Sequence, residues 1–203
     1  PAVFIGVPND SEGLTCVDLD FEAAAAMAVD RLADAGHTVI GLVGQPEVAY
    51  EKSNFPPRLR RAYEARAAER GIQAHFRTSG SVATNDEATR RAVSELLDAG
   101  ATALLLHAAD DVHHEVLAEL AERGLEVPGD VSLISVAASF DTHALPVHID
   151  AIPLIPEASC SLAVELALRC LSDQPPAPTL HLIPPSYIDR HSVAPPGAAR
   201  RPE

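Results

Sequence analysis

The stretch at residues 17–46, VDLDFEAAAAMAVDRLADAGHTVIGLVGQP, decides the fold class. From residue 18 to residue 35 its apolar side chains recur at helical spacing, which predicts a helix that buries one face. Gly36 follows as a C-cap, because glycine readily takes the left-handed conformation that ends helices. The uninterrupted apolar run at 38–43 then predicts a buried strand of a parallel sheet. The stretch is therefore one helix–strand unit of an α/β protein.

The same order of helix, glycine and strand repeats towards the C-terminus, and a strand-like run opens the chain. Alternation of this kind is typical of parallel sheets flanked by helices, so we predict an α/β fold. The predicted strands are 2–7, 38–43, 72–77, 101–106, 131–136, a short one around 148–152, 180–183 and 187–190, and the predicted helices are 18–35, 58–70, 85–99, 111–123 and 157–171.

The composition limits the partners and the compartment. A formal net charge of −14 repels nucleic-acid phosphates, so contact with DNA has to come from a separate basic element. No apolar run approaches the roughly 20 residues of a membrane helix, and no signal-peptide pattern is present. Cys16, Cys160 and Cys170 stand in no metal-ligand spacing and are expected to be reduced core residues. These features predict a cytoplasmic protein without a membrane partner.

The motifs of the common α/β enzymes are missing from the sequence. It contains no GxGxxG dinucleotide fingerprint, no P-loop and no GxSxG nucleophile elbow. Histidine and aspartate are plentiful, but nothing arranges them as a catalytic set. The sequence therefore predicts a protein that is not an enzyme and that uses no cofactor.

Several phrases follow one another in an order that resembles a known family. They are PAVFIG at 1–6, the stretch at 17–46, RLRRAYEARAAERGI at 58–72, GLEVPGDVSLIS at 124–135 and YIDRHSVAPP at 187–196. Over nearly its whole length the chain resembles the effector-binding domain of the LacI/GalR transcriptional regulators. The closing phrase resembles these repressors more than the free periplasmic sugar-binding proteins of the same fold.

The resemblance implies a periplasmic-binding-protein-like fold, in which two lobes enclose a cleft for a small-molecule effector. It further implies a homodimer and a helix–turn–helix headpiece that reads a palindromic operator in DNA. We therefore expect a ligand-responsive transcriptional regulator, in particular a repressor. The alternative of a different class is a solute-binding protein of a transport system with the same fold.

The resemblance also assigns the segments to lobes. Residues 1–13 and 147–175 are expected in the N-terminal lobe, which is only partly present. Residues 14–146 and 176–193 are expected in the C-terminal, effector-binding lobe, and residues 194–203 as a mobile tail. By position, the headpiece and the first half of the N-terminal lobe are expected to lie outside these 203 residues.

The family pattern, carried over to this sequence, points to a candidate ligand site. An arginine that contacts the effector is expected four residues before Tyr63, which falls on Leu59, and a small shift would bring Arg58 into the cleft. The competing interpretation is that Arg58 and its neighbour Arg60 are solvated arginines at a helix end. The aromatic platform of the family falls near Ser81.

Other positions of the pattern carry small or apolar residues here. Gly6 stands where a carboxylate is expected, and Ala137 stands where an aspartate is expected. Asp110 is the one familiar polar residue retained, although a residue in its place could equally cap the following helix. Because buried polar groups must be paired, the loss of several together argues against a typical sugar. Either a smaller or more apolar ligand binds, with Arg58 or His107 supplying charge or hydrogen bonds, or the site has degenerated.

Histidines and aspartates cluster in the segment HAADDVHH at 107–114. Asp110 and His114 share a helix face, but a zinc site needs three or four converging ligands, and His113 points elsewhere than His114. We therefore predict no metal site. The resemblance instead implies that His114 and Ala118 face the partner subunit of the dimer, where protonation of His114 would loosen the contact.

Overall fold

The computed structural model describes residues 2–80, 86–172 and 176–197. The strands are β1 (Val3–Ile5), β2 (Thr15–Leu19), β3 (Val39–Gly44), β4 (Gln73–Thr78), β5 (Ala103–Leu106), β6 (Ser132–Ala138), β7 (Asp150–Pro153) and β8 (Leu180–Ile183). The helices are α1 (Phe21–Asp34), α2 (Glu47–Lys52), α3 (Phe55–Glu69), α4 (Asp86–Asp98), α5 (Asp110–Glu122) and α6 (Pro156–Arg169). Two parallel sheets flanked by helices result, as predicted.

The larger sheet has five strands in the order β4-β3-β5-β6-β7 and is buried on both faces. Helices α1 and α3 cover one face, where α1 contributes alanines that allow close packing beside Leu32 and α3 contributes the buried Tyr63. Helices α4 and α5 cover the other face around Leu96 and Leu120. Each hydrophobic layer removes several large side chains from water, which is the main stabilising contribution in a domain of this kind.

The smaller sheet has three strands in the order β1-β2-β8, with helix α6 against one face. Val17 of β2 meets Ala163 and Leu166 of α6 in a small hydrophobic cluster. On this sheet Phe4 and Leu180, both paired in register with Cys16, keep more than a third of their surface exposed.

The sheet pairing corrects the predicted division into lobes. Residues 15–19 were expected to open the larger lobe, but they form β2, the central strand of the smaller sheet. Residues 180–183 form β8 beside β2, whereas β7 pairs with β6 in the larger sheet instead of returning to the smaller lobe. The predicted helix at 18–35 concealed β2, because Asp20 is the only residue between strand and helix, and its side chain accepts the Ala23 N–H as a cap.

The segment after β8 is fastened to the larger sheet. Ile188 makes only an isolated antiparallel bridge with Ala151 in place of the predicted strand at 187–190. Further on, the Ala194 carbonyl accepts hydrogen bonds from His37 Nε2 and Ser132 Oγ, both at 3.0 Å. The predicted mobile tail therefore does not begin at 194, and residues 198–203 lie outside the described part of the chain.

His37 is a buried connector rather than a cap at the surface. Its side chain is 2% exposed, its Nε2 donates to the Ala194 carbonyl, and its Nδ1 lies 2.8 Å from the hydroxyl of Thr102. Because the carbonyl can only accept, the proton sits on Nε2 and the Thr102 hydroxyl donates to Nδ1. Desolvation by burial lowers the pKa of His37, which keeps the ring neutral.

Among the helices within these described ranges, none combines the length and the apolar character that crossing a bilayer requires.

Candidate functional site

A cavity of about 320 Å³ lies where the two sheets face each other. Its walls come from the carboxyl ends of strands in both sheets, which is where parallel α/β sheets usually bind ligands. The larger sheet and its helices contribute Phe21, Gln45, Phe55, His107, Ala137, Ser139 and Leu154, the smaller sheet contributes Ile5, Gly6 and Asp18, and the start of α6 contributes Pro156, Ser159 and Cys160.

Three rings form one corner of this cavity. Phe21 begins α1 and Phe55 begins α3, and their ring centroids are stacked 5.3 Å apart. The imidazole of His107, directly after β5, meets Phe55 edge-on at 5.7 Å and lies 6.2 Å from Phe21. These separations fall in the favourable range for aromatic pairs. The corner is rigid and apolar because each ring packs against the other two.

His107 lines the cavity and carries a buried polar atom without a partner. The residue is 2% exposed, and its Nδ1 has no hydrogen-bond partner within the part of the chain that the structure describes. Desolvation by burial lowers the pKa of His107 to about 3, so the ring is neutral near pH 7. An unpaired buried nitrogen costs about 1 to 3 kcal/mol. A rotation of the ring that exposed Nδ1 to a ligand in the cavity would remove that cost.

Charged groups beside the cavity are already paired with one another. Arg58 in the first turn of α3 is 7% exposed and donates from Nε and Nη2 to the carboxylate of Glu22, with both bonds at 2.8 Å. Its Nη1 donates to Asp18 Oδ2 at 2.8 Å. Burial raises the pKa of Asp18 in spite of this bond, whereas the hydrogen bonds from Arg58 lower the pKa of Glu22. The cluster joins the end of β2 to the starts of α1 and α3.

A second, more polar cavity of about 400 Å³ adjoins the first. The two share Ile5, Gly6, Asp18 and Phe55 as a common wall. The second cavity is otherwise bounded by the loop after β1 and by residues 52–54, including Lys52 and Asn54. Asn54 donates from Nδ2 to the Val7 carbonyl at 3.3 Å and so ties that loop to the start of α3. The first cavity is the better candidate, since it alone contains the buried unpaired His107.

The structure brings together only some of the predicted ligand residues. His107 and Ala137 line the cavity; Ala137 sits at a bulge between β6 and β7 with φ +54°. Arg58 is neither solvated nor part of the lining: it lies behind Asp18 and faces two carboxylates. Arg58 therefore does not line this cavity, because its neighbours Asp18 and Glu22 bind the whole guanidinium. Ser81 lies outside the described residues.

Asp110 does not reach the cavity either. Its side chain is 61% exposed and lies 3.4 Å from His114 Nε2, one helical turn along α5. Ala109 occupies the N-cap position, so Asp110 acts in the first turn, where a carboxylate interacts favourably with the helix dipole. Asp110 therefore does not line this cavity, because the start of α5 turns its side chain to solvent.

Several residues that line the cavity could not be predicted from the sequence. Phe21 falls inside the predicted helix at 18–35 and Phe55 falls outside the predicted elements, whereas each begins a helix in the structure. Asp18 and Cys160 come from segments that only the sheet pairing brings to the same place. One signal was available: aromatic residues make up only 4% of the chain, and two of the five phenylalanines directly follow capping or turn residues.

The histidine segment at 107–114 splits between interior and surface. His113 is fully buried, its Nδ1 donates to the Ala109 carbonyl at 2.8 Å, and its Nε2 accepts from Ser135 Oγ at 2.8 Å. His114 is half-exposed and pairs with Asp110. Within the ranges described, no three histidine, cysteine, aspartate or glutamate side chains converge as a metal would require.

Comparison with known proteins gives a consistent picture. The profile of the family described as "Periplasmic binding protein-like domain" matches residues 29–193. The HTH-type transcriptional regulator GalR of Salmonella typhimurium is 30% identical over 183 residues, which are 89% of this chain and 52% of that protein. The chain thus spans about half the length of the curated relatives it matches.

Solved structures agree with the fold. A LacI family transcriptional regulator from Bifidobacterium animalis subsp. lactis superimposes with a TM-score of 0.82 at 25% identity, over 97% of this chain and 70% of that one. The dimeric Lac repressor superimposes with a TM-score of 0.80 at 20% identity, with the same coverage. Both chains extend beyond the part that corresponds to these 203 residues.

Proposed function

The chain belongs to the periplasmic binding protein-like domain family, in its LacI/GalR branch, and we propose that it is the effector-binding region of a ligand-responsive transcriptional repressor. The observation that carries this proposal is the cavity between the two sheets, which holds an unpaired and almost fully buried His107. A molecule bound at the carboxyl ends of strands from both sheets contacts both sheets at once. Its binding can therefore favour one relative position of the two sheets over another. This coupling is what a ligand-controlled regulator needs.

The DNA contact would come from a helix–turn–helix segment outside these 203 residues. The formal net charge of −14 makes the chain itself unsuited to a phosphate backbone. The matched relative is described as an HTH-type regulator, and this chain spans 52% of it. Work in the cytoplasm, on operator DNA, follows from this function. The regulator relatives also favour this proposal over a solute-binding protein and over an enzyme.

The second partner would be another copy of the chain. The dimeric Lac repressor shares the fold, and a palindromic operator is read by a twofold-symmetric protein. Helix α5 presents His114, which is half-exposed, and Ala118, which is partly buried, at its surface. We propose that these two residues contact the partner subunit.

Binding of the full-length gene product to its own promoter tests the function. We expect fluorescence anisotropy to detect specific binding to a palindromic site, and a small molecule that raises the melting temperature of the protein to change that binding. His107→Phe should keep the affinity for DNA and lose the response to the molecule, while His148→Phe, at an exposed position away from the cavity, should keep both. Failure of the full-length protein to bind its promoter would refute the proposal.

A further inference from the structure

The lining of the His107 cavity offers few partners for a polyhydroxylated ligand. Ile5, Phe21, Phe55, Ala137 and Leu154 present carbon to most of its surface. A sugar hydroxyl buried against such a wall loses its hydrogen bonds to water without gaining others. The lining therefore favours a ligand that is mostly apolar.

The charges around the cavity favour a neutral ligand. Asp18 is the one charged residue in the described lining, and its carboxylate already accepts from Arg58 Nη1 and from the Leu19 N–H. The guanidinium of Arg58 is bound on its other side by Glu22, so it has no free edge for a ligand carboxylate or phosphate. An anion in this cavity would be desolvated beside a carboxylate and without a cation.

The shape and the polar atoms of the cavity narrow the choice further. The corner formed by Phe21, Phe55 and His107 suits a flat ring, which can pack against ring faces and edges at the separations seen among these three. The volume of about 320 Å³ equals that of about ten water molecules, which is enough for one substituted ring. The His107 ring lines the cavity, and a rotation of this ring would bring its buried, unpaired Nδ1 to a bound ligand as a hydrogen-bonding group.

The remaining polar lining residues do not change this assignment. Ser139 and Cys160 are exposed to solvent, and Ser159 Oγ donates to the Ile155 carbonyl at 3.5 Å. Gln45 is partly buried after β3. A single hydroxyl group on the ligand can be met by His107, whereas the several hydroxyls of a sugar ring would face a lining in which most residues present carbon.

We propose that the effector is a neutral aromatic compound of one ring with a hydroxyl group, a phenol-type molecule whose hydroxyl pairs with His107. This inference rests on the proposed function, because it assumes that this cavity is the effector site. The ring packs against Phe21 and Phe55, and the hydroxyl satisfies the imidazole nitrogen that is otherwise unpaired. Ala137, which lacks a side chain beyond Cβ, leaves the space for the ring.

The chain contains its own reporter for this test. Cys160 is exposed and lines the cavity, whereas Cys170 lies at a different cavity beside Phe4 and Pro178. A bound ligand should slow alkylation of Cys160 by iodoacetamide and leave Cys170 unaffected, as read by mass spectrometry of the full-length protein. The probes are p-cresol, its hydroxyl-free analogue p-xylene, the anion 4-methylbenzoate, and D-galactose.

We expect p-cresol at about ten times its dissociation constant to slow alkylation of Cys160 roughly tenfold, since only the unliganded protein reacts. p-Xylene should bind about tenfold more weakly, because it leaves the nitrogen of His107 unpaired. In His107→Phe, which keeps a ring in the corner, the two probes should bind equally, and in the control His148→Phe the preference for p-cresol should persist. The comparison of four probes on the unmodified protein does not depend on either variant.

Stronger protection of Cys160 by D-galactose or 4-methylbenzoate than by p-cresol would overturn the ligand class and leave the cavity as the effector site. Equal protection of Cys160 and Cys170 by p-cresol would overturn binding at this cavity. Protection by none of the four would overturn the ligand class as well, and the promoter-binding experiment then decides separately whether the protein is a regulator.

Discussion

Replacing Arg58 by methionine separates two roles that a buried arginine at this position can have. In the structure its guanidinium holds Asp18 at the end of β2 and Glu22 in α1, and it does not line the cavity. We therefore expect Arg58→Met to lower the stability of the protein. A residue that served only as a ligand contact would leave stability unchanged and would weaken ligand binding instead.

The expected loss in the free energy of unfolding follows from how far the three side chains are exposed to solvent. The Arg58 side chain is 8% exposed and the Asp18 side chain 13%, whereas that of Glu22 is 45% exposed and is screened by solvent. Breaking a buried pair by removing one partner costs about 3 to 5 kcal/mol, because the remaining charge stays desolvated. Asp18 alone would remain as a desolvated charge, so we expect a loss of unfolding free energy at the lower end of this range, about 3 kcal/mol. For a chain of this size that corresponds to a fall in Tm of about 6 to 12 °C.

Urea unfolding followed by circular dichroism measures this loss. Arg77→Met is the matched control, because the pair of Arg77 with Glu95 is 44% and 45% exposed and is worth about 0 to 1 kcal/mol. Asp18→Asn in the Arg58→Met background should recover part of the stability, since a neutral amide is less costly to bury. If Arg58→Met is no less stable than Arg77→Met, the cluster does not stabilise the junction of β2 with α1 and α3.

Three further predictions concern stability. Burial lowers the pKa of His107 to about 3 and that of His113 to about 4, so below a pH of about 6.5 mainly the unfolded state gains protons. The free energy of unfolding should then fall by up to about 1.4 kcal/mol per pH unit for each residue until the folded pKa is reached, and a flat profile in urea melts between pH 7 and pH 5 would contradict this. Ala137→Gly should raise the free energy of unfolding by about 1 kcal/mol in urea melts, because φ +54° is unfavourable for alanine; unchanged or lower stability would contradict the strain. Gly44→Ala should lower the melting temperature through a loss of about 1 to 3 kcal/mol, because its Cβ would lie 2.6 Å from Phe76 Cε2, and an unchanged melting temperature would show that the ring yields.

The fold could be predicted from the sequence wherever one element type continued long enough to show its period. The strand at 38–43 and the helix at 111–123 correspond within two residues to β3 and α5, because their apolar residues are buried on the expected faces. The short strand β2 could not be separated from α1, since a single residue joins them. The lobe assignment failed at the same point, because it depends on which sheet β2 joins.

The site could be predicted only in part. His107 and Ala137 follow or end buried strands, and the rule that ligands meet the carboxyl ends of parallel strands places both at the cavity. The partners of Arg58 were not predictable in the same way. Asp18 lies 40 positions away in sequence, and only the packing of α3 against α1 and β2 brings the three side chains together. Pairwise contacts of this range have no periodic signal in one sequence.

On α3 the arginine stands one residue before the position that the family pattern expects, and this difference bears on both the ligand of the cavity and the stability of the fold. The resemblance to the regulator family expects an arginine at position 59, but Leu59 is 1% exposed in the hydrophobic core and Arg58 carries the charge. Neighbouring residues on a helix point about 100° apart. The guanidinium is therefore directed away from the cavity to Asp18 and Glu22, where it stabilises the junction of the two sheets. By the same change this helix supplies no cation to the cavity, which is one basis for our proposal of a neutral ligand there.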